Sequence, residues 1–303
     1  MAEYVDEAEY AAEPVSDAEK LAIATHMLMS SPPGQFWDVL ADVKKLVPEA
    51  LLDDARAAEV AKAYNAQDGV IVEVGGEGSV LAAEATRAGN EFKDSRGGGV
   101  FVVDHVSAQV TGEGAAAEEE DGNEGYVDPA LEAQRKCLEE ELEVYRASFF
   151  SVAEKSAVSV FVKDGGLVAY ISSHKHNLKN WWSGKWSGRY NVTVSEGSAE
   201  VCGVISVRGH YFENGNIQLQ TSKEIEAKTV TFTDSKSLAV GVTAHIRQSE
   251  SALHEGLEEM YEKMGDVTLR NMRRTKPITA DRFTWNVAKI RMRNTLTQAS
   301  GGK

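Results

Sequence analysis

The chain has 303 residues, of which 42% are hydrophobic, and a formal net charge of −15. This length and composition suffice for one large or two ordinary globular domains and exclude a chain that is disordered throughout. Two cysteines cannot build a disulfide framework, no apolar run approaches the roughly 18 residues of a membrane span, and the acidic N-terminus shows no signal peptide. The composition therefore predicts an intracellular protein with no membrane span.

Three short helices are predicted near the N-terminus. Ser16-Asp-Ala-Glu19 has the spacing of a capping box, and Ser31-Pro-Pro-Gly34 stops the helix that follows it. A second helix carries apolar residues at positions 36, 40, 43 and 47, and an alanine-rich third helix extends to about Tyr64. We therefore predict a disordered acidic segment over 1–15 and a helical unit over 16–66.

Residues 67–235 have the pattern of an antiparallel sheet. Asp164-Gly-Gly166 and Asn214-Gly-Asn216 are predicted hairpin turns, because glycine allows the positive φ that such turns need. Asp128-Pro129 is predicted to begin a helix over 128–149. Residues 112–125 are rich in Gly and Glu and are predicted to form an exposed loop. The predicted strands are 70–74, 100–103, 157–163, 167–173, 190–194, 201–212, 217–221 and 229–233.

A long helix is predicted over 236–276. Ile246, Leu253 and Met260 recur every seven residues, with Leu257 and Met264 between and after them. An apolar stripe of this length indicates a helix that crosses a sheet wider than one chain supplies. We therefore predict an α+β fold with this helix packed across the sheet, and a dimer interface formed by Ile246, Leu253, Leu257, Met260 and Met264.

The C-terminal end concentrates positive charge. Residues 265–303 carry nine basic and two acidic residues, a net +7, while residues 1–264 carry 23 basic and 45 acidic residues, a net −22. Apolar side chains, including Phe283 and Trp285, are interleaved with the charges. Charge runs commonly mark a solvated helix, but such a helix has no use for a Trp and a Phe. The segment 277–303 is therefore predicted to be a short basic tail helix that contacts an acidic partner.

Signals of catalysis are weak. Gly75-Gly-Glu-Gly78 lacks the third glycine of a dinucleotide loop, and no phosphate-binding loop is present. His174 and His176 have no carboxylate or cysteine at ligand spacing, so a metal is disfavoured. The cluster of Trp181, Trp182 and Trp186 could stack bases, but core packing is the commoner role. We predict a protein that is not an enzyme, holds no cofactor or metal, and binds no nucleic acid.

Several stretches, in the same order along the chain, resemble the α subunit of the heterodimeric F-actin capping protein. His210-Tyr-Phe-Glu-Asn-Gly-Asn-Ile217 is similar to a signature hairpin of that family, which usually has Asp at the position of Asn214. Ser31-Pro-Pro-Gly-Gln-Phe36, the segment Ser172–Trp186, and Leu269-Arg-Asn-Met-Arg-Arg-Thr-Lys-Pro277 followed by Trp285-Asn286 also resemble family segments. The resemblance covers about residues 16–296.

This resemblance implies a noncatalytic cytoplasmic protein of the cytoskeleton. It would pair with a β subunit of similar fold through one shared antiparallel sheet and bind the barbed end of actin filaments, independently of calcium. Where the family commonly has a basic residue, this chain has Ala280, and Arg282 is the nearest substitute. The implied actin-binding residues are Arg270, Arg273, Arg274, Arg282, Phe283, Trp285, Lys289, Ile290 and Arg293.

The same basic and apolar tail permits a second interpretation. Lys and Arg clusters beside apolar residues can bind inositol phospholipid headgroups, and the resemblance implies regulation of that kind. A module for inositol phospholipids or another polyanion is therefore the alternative function. The role of the 112–125 loop and the choice between a β subunit and a second copy stay open at this level.

Overall fold

The computed structural model describes residues 15–74, 79–83, 91–96, 99–113, 128–213 and 216–264. The chain forms two units, Met1–Arg247 and Gln248–Lys303. The described helices are α1 (Asp17–Met29), α2 (Phe36–Leu46), α3 (Asp54–Ala66), α4 (Pro129–Phe149) and α5 (Ser235–Lys263). The described strands are β1 (Val70–Glu73), β2 (Ser79–Ala82), β3 (Glu91–Lys93), β4 (Val100–Asp104), β5 (Gln109–Glu113), β6 (Lys155–Lys163), β7 (Gly166–Asn177), β8 (Trp182–Ser195), β9 (Ser198–Tyr211) and β10 (Ile217–Thr231).

The helical unit α1–α3 forms where its local signals predict it. The capping box at Ser16 is confirmed, since its side chain accepts from the Glu19 amide while the Glu19 carboxylate accepts from the Ser16 amide. Leu28, Leu40 and Tyr64 are buried together in the core of the three helices. Apolar residues three or four positions apart on each helix therefore supply one shared core.

The main sheet has five antiparallel strands in the order β10-β9-β8-β7-β6. Small sheets of three strands (β3-β4-β5) and two strands (β1-β2) complete the described β structure. The turn between β6 and β7 is confirmed at Asp164-Gly165, both of which have positive φ. The predicted α+β fold, with an antiparallel sheet and a long helix, is therefore confirmed.

The register of the main sheet shows which elements cover each face. Ser173 lies opposite Ser156 and Trp186, and these residues face α4: Arg146 Nη1 donates to Ser156 Oγ at 2.7 Å. Successive residues of a strand point to opposite faces. Accordingly, Ala157 packs on the other face against the β1–β2 hairpin. Helices α4 and the first part of α5 share one face, and the hairpin and helical unit lie on the other.

Three predicted strands of the main sheet were wrong in extent. Strand β8 begins at Trp182 rather than 190, and the predicted strands 217–221 and 229–233 are one strand, β10. The segment between the latter two carries the charged residues Lys223, Glu224, Glu226 and Lys228. The structure accommodates it with a β-bulge between Ile225 and Lys228 on an edge strand, where both faces tolerate charge.

Three short strands, β2, β3 and β5, lacked a recognisable alternating pattern and were not predicted. Gly112 and Glu113, assigned to the exposed loop 112–125, belong to β5, and the rest of that loop lies outside the described residues. The predicted turn at 214–216 also lies mostly outside them. The predicted disordered segment, apart from residue 15, and the tail 277–303 lie wholly outside them.

Candidate subunit and actin interfaces

The predicted actin-binding residues all fall within 270–293, outside the described residues. Their role therefore stays a prediction from the sequence. The predicted dimer interface, by contrast, lies within the described residues, on and directly after α5.

The main sheet has two edges, and one of them is already covered. Helix α4 and the β1–β2 hairpin both pack against β6. Arg135 Nη1 donates to the carbonyl of Val160 at 3.3 Å, and Ser159 Oγ donates to the carbonyl of Leu81 at 3.3 Å. Side chains and neighbouring elements thus occupy the β6 edge and leave little room for another strand.

Strand β10 forms the opposite edge and is open. It has 15 residues, and no strand in the described ranges pairs with its outer side. Most of its side chains are exposed, including Lys223, Glu224 and Ile217, the last with 47% of its surface accessible. An unpaired edge of this length presents a row of free backbone donors and acceptors. It is the best-formed site in the described sheet for pairing with another chain.

Helix α5 begins on the sheet beside this edge. Leu238, Val242 and Ile246 are fully buried, and a Cβ at Gly241 would overlap the Val230 side chain of β10. The Arg247 guanidinium lies 5.3 Å from the centre of the Tyr145 ring of α4. Close contact at Gly241 therefore seats this part of α5 directly on the edge strand.

The predicted dimer-interface residues separate into two groups along α5. Ile246 is fully buried within the first unit and belongs to the core of the chain itself. Leu253, Leu257 and Met264 are half-buried and Met260 is 39% exposed. The outer four thus retain apolar surface that a partner could cover, whereas Ile246 does not.

Three of the sequence segments noted above meet at one joint between the helical unit and the sheet. Gln35 Nε2 lies 2.9 Å from His210 Nδ1 and 3.5 Å from Ser183 Oγ. His210 Nε2 lies 3.1 Å from Asn216 Oδ1. Ser183 is in register with both His176 and His210. Residues from 31–36, 172–186 and 210–217 thus hold the fold together at this joint.

A second polar anchor joins the end of the helical unit to the same face of the sheet. Asp68 Oδ2 lies 2.6 Å from Arg208 Nη2, and Ser187 Oγ donates to Asp68 Oδ1 at 3.1 Å. Lys185 Nζ donates to the Gly69 carbonyl at 2.9 Å. Burial lowers the pKa of Lys185 to about 8, an effect that Asp68 opposes and Arg208 reinforces. No local sequence pattern indicates this anchor, because Asp68 and Arg208 are far apart in the chain.

The structure gives the histidine pair a packing role. Burial is the main cause that lowers the pKa of His174, and the His176 ring lies against Gly34. The amide of His176 donates to Glu154 Oε2 at 3.0 Å. Across the ranges the structure describes, no three His, Cys, Asp or Glu side chains are grouped to hold a metal ion. Within the same ranges, no helix has the length and apolar character of a membrane span.

Trp181, Trp182 and Trp186 form no single stacking surface. Trp182 and Trp186 lie on the face of β8 that is turned toward α4, where Trp186 is 6.4 Å from the Phe150 ring. Trp181 lies just before β8, is 49% exposed and makes an edge contact with Phe212 at 5.8 Å. Because Trp182 and Trp186 are four residues apart on β8 and Trp181 contacts Phe212 instead, these three rings provide no continuous platform for bases.

Comparison with known proteins covers almost the whole chain. Residues 24–295 match the family described as F-actin capping protein alpha subunit. An F-actin-capping protein subunit alpha of Dictyostelium discoideum is 30% identical over 277 residues, which cover 90% of this chain and 96% of that protein. One of Caenorhabditis elegans is 29% identical over 280 residues, 91% of this chain and 96% of the other.

A solved structure has the same fold. The homodimeric actin capping protein alpha subunit from Plasmodium berghei superposes with a TM-score of 0.70 at 22% identity, covering 87% of this chain and 99% of that chain. At this identity the similarity shows only that the two chains share a fold.

Proposed function

Because the chain belongs to the F-actin capping protein alpha subunit family, we propose that it pairs with a capping protein β subunit and that the pair caps the barbed end of actin filaments, independently of calcium. The family consists of actin-capping subunits rather than enzymes, and the chain is not an enzyme. The observation that carries the proposal is the match over residues 24–295, which includes residues 265–295 of the basic segment.

The open β10 edge supports the pairing step. A strand of a second subunit can extend the sheet there by backbone hydrogen bonds, and the partly exposed residues Leu253, Leu257 and Met260 offer apolar surface. A second copy of this chain is the alternative partner, since the Plasmodium berghei relative is described as homodimeric.

The charge distribution supports the actin-binding step. The segment 265–303 carries +7, whereas the rest of the chain carries −22, so an acidic filament end would attract this segment and repel the remainder. We assign the contact to Arg270, Arg273, Arg274 and the aromatic residues Phe283 and Trp285. Binding of inositol phospholipids by the same basic residues is a secondary proposal that rests on the same charge.

Elongation of actin from filament seeds tests the function. The chain, co-expressed with a capping protein β subunit, is added at nanomolar concentration to seeds and pyrene-labelled actin, in EGTA and in calcium. Loss of barbed-end growth in both conditions supports the proposal. Unchanged growth, or binding to inositol phospholipid vesicles with no effect on filament ends, would favour the polyanion-binding alternative.

A further inference from the structure

A cleft with a volume of about 450 Å³ lies on the face of the main sheet that carries the helical unit and the β1–β2 hairpin. Strands β7, β8 and β9 form its floor, and the segment between α3 and β1, together with the end of β2, forms its walls. Sites for small molecules in proteins commonly have volumes of roughly 300–1,000 Å³. The cleft is therefore large enough to hold a small ligand.

Two neighbouring rows of the sheet bring different chemistry to the floor of the cleft. In one row, Tyr170 lies opposite Arg189. Two residues further along the strands, Ser187 lies opposite Ser206. Side chains two residues apart in a strand point to the same face, and the two rows are about 7 Å apart. The floor therefore places a cation on an aromatic ring beside a row of hydroxyl groups.

Arg189 is the cation best placed to meet a ligand. Its side chain is exposed, and its guanidinium lies 5.8 Å from the centre of the Tyr170 ring. No hydrogen bond or ion pair with another described residue engages this guanidinium, so its N–H donors are available. Phe161 packs edge-on against Tyr170 at 6.1 Å and supports the ring. Lys163 lines the cleft beyond Tyr170, on the side away from the serines.

The acidic side chain of the cleft is already paired. Asp68 is the one carboxylate among the described residues that line the cleft. Asp68 Oδ2 lies 2.6 Å from Arg208 Nη2, and Ser187 Oγ donates to Asp68 Oδ1 at 3.1 Å. Glu224 of β10 lies opposite Val204 at the margin of the cleft, and it forms no ion pair with Arg189. The uncompensated charge in the cleft is therefore positive.

Positive charge of this kind stands out in this part of the chain. Residues 1–264 carry 23 basic and 45 acidic residues, so their overall field repels anions. An exposed arginine without an acidic partner is a local exception, and it sits in a concave site. The hydroxyl of Ser206 makes no hydrogen bond with another described residue, so it is free to donate to or accept from a ligand.

We propose that this cleft binds a small phosphorylated polyol, a ligand with a phosphate at one end and hydroxyl groups at the other. Arg189 and Lys163 hold the phosphate, because a guanidinium binds phosphate oxygens in a bidentate manner and an ammonium adds charge. The hydroxyls of Ser187 and Ser206 bind those of the polyol. The site is separate from the basic C-terminal segment, and its existence does not depend on the capping function.

Titration calorimetry tests the site without actin. The purified full chain, in whichever complex it forms, is titrated with glucose 6-phosphate, with inorganic phosphate and with glucose. We expect glucose 6-phosphate to bind at least about tenfold more tightly than either fragment, because only the sugar phosphate engages both rows. Equal binding of inorganic phosphate and glucose 6-phosphate, or no binding of any of the three, would overturn the inference.

Four variants assign the binding to the two rows. Arg189→Gln should weaken the binding of glucose 6-phosphate by about tenfold or more, and Arg189→Lys should restore part of the affinity. Ser206→Ala should weaken the binding of glucose 6-phosphate and leave that of inorganic phosphate unchanged. Lys136→Gln removes a positive charge from the exposed surface of α4 and should change neither. An Arg189→Gln variant with the affinity of the parent chain would refute the site.

Vesicles that contain an inositol phospholipid distinguish a soluble ligand from a lipid headgroup, which carries the same phosphate and hydroxyl chemistry. Vesicle binding should be the same for the parent chain and Arg189→Gln, because we assign it to the basic C-terminal segment. If Arg189→Gln loses vesicle binding while the parent chain binds no glucose 6-phosphate, the cleft takes a lipid headgroup and the inference of a soluble ligand is wrong.

Discussion

Gly34 lies directly against the ring of His176: a Cβ at Gly34 would be 3.0 Å from His176 Cγ. Gly34 also has φ of +77°, a conformation that residues with a Cβ adopt only under strain. This contact joins the turn between α1 and α2 to strand β7. The glycine is required there for two independent reasons, backbone conformation and space.

Substitution Gly34→Ala should therefore destabilise the fold by about 1–3 kcal/mol, through strain at the turn and displacement of the His176 ring. Chemical denaturation of the purified chain or its complex measures this loss. Gly99→Ala is the matched control, because a Cβ at Gly99 would meet nothing within 4 Å. Equal effects of the two substitutions would contradict the role assigned to the joint.

Lys185 should make stability depend on alkaline pH. Burial lowers its pKa from the ordinary 10.5 to about 8, so between those values the unfolded chain binds more protons than the folded chain. The free energy of unfolding should therefore rise with pH across this window, by at most about 1.4 kcal/mol per unit from this residue, and be unaffected by it below pH 8.

Lys185→Met removes this proton-linked contribution. The difference in unfolding free energy between the parent chain and Lys185→Met should grow in favour of the parent from pH 8 to 10. Lys136→Met, at an exposed lysine of α4, controls for the loss of a positive charge. A difference that stays constant over this range would show that Lys185 retains an ordinary pKa.

A charge on the outer part of α5 should disrupt pairing with a β subunit. Leu253→Asp would place an unpaired carboxylate on a surface that we expect the partner to cover. It should weaken the binding free energy between the subunits by about 3 kcal/mol, which raises the Kd roughly a hundredfold. Co-purification of differently tagged subunits, followed by titration, measures the effect. Ala252→Asp introduces the same charge at the adjacent exposed position and should leave pairing nearly unchanged.

Reversal of the basic end should slow the capture of filament ends. Arg270→Glu with Arg274→Glu changes the charge of the segment from +7 to +3, and should lower the association rate by on the order of tenfold at low salt. Seeded pyrene-actin elongation at two salt concentrations measures this rate. Lys136→Glu with Lys236→Glu is the control for net charge. Capping as fast as the parent at low salt would refute the steering role.

Removal of residues 283–303 should act on dissociation instead. The apolar contacts of Phe283, Trp285 and Ile290 form only after docking, so their loss should raise the dissociation rate by on the order of tenfold while association stays nearly normal. Dissociation chased by excess unlabelled capping protein measures it. A truncated chain with a slow association rate and unchanged dissociation would reverse the roles given to the two parts of the basic end.

Local sequence signals specified much of this fold. The capping box at Ser16, the positive-φ turn at Asp164-Gly165 and the apolar spacing of α5 each depend on residues within a few turns of helix or a few residues of strand. Such features can be predicted from the sequence, because they depend on interactions between residues that are close together in the chain. The family resemblance then implied the expected partner and a sheet shared with it.

Contacts between distant residues decided the rest. Gln35 with His210 and Asp68 with Arg208 join segments more than 130 residues apart, and no local pattern reports such a pairing. The middle of β10 is rich in charged residues, yet the strand pairs with β9 on both sides of its bulge. Helix α4 and the β1–β2 hairpin pack against β6 and not against β10. Their positions therefore decide which edge of the main sheet is covered and which is open. The position of the open edge is therefore a property of the assembled sheet, because a strand becomes an edge only through what its neighbours leave unpaired.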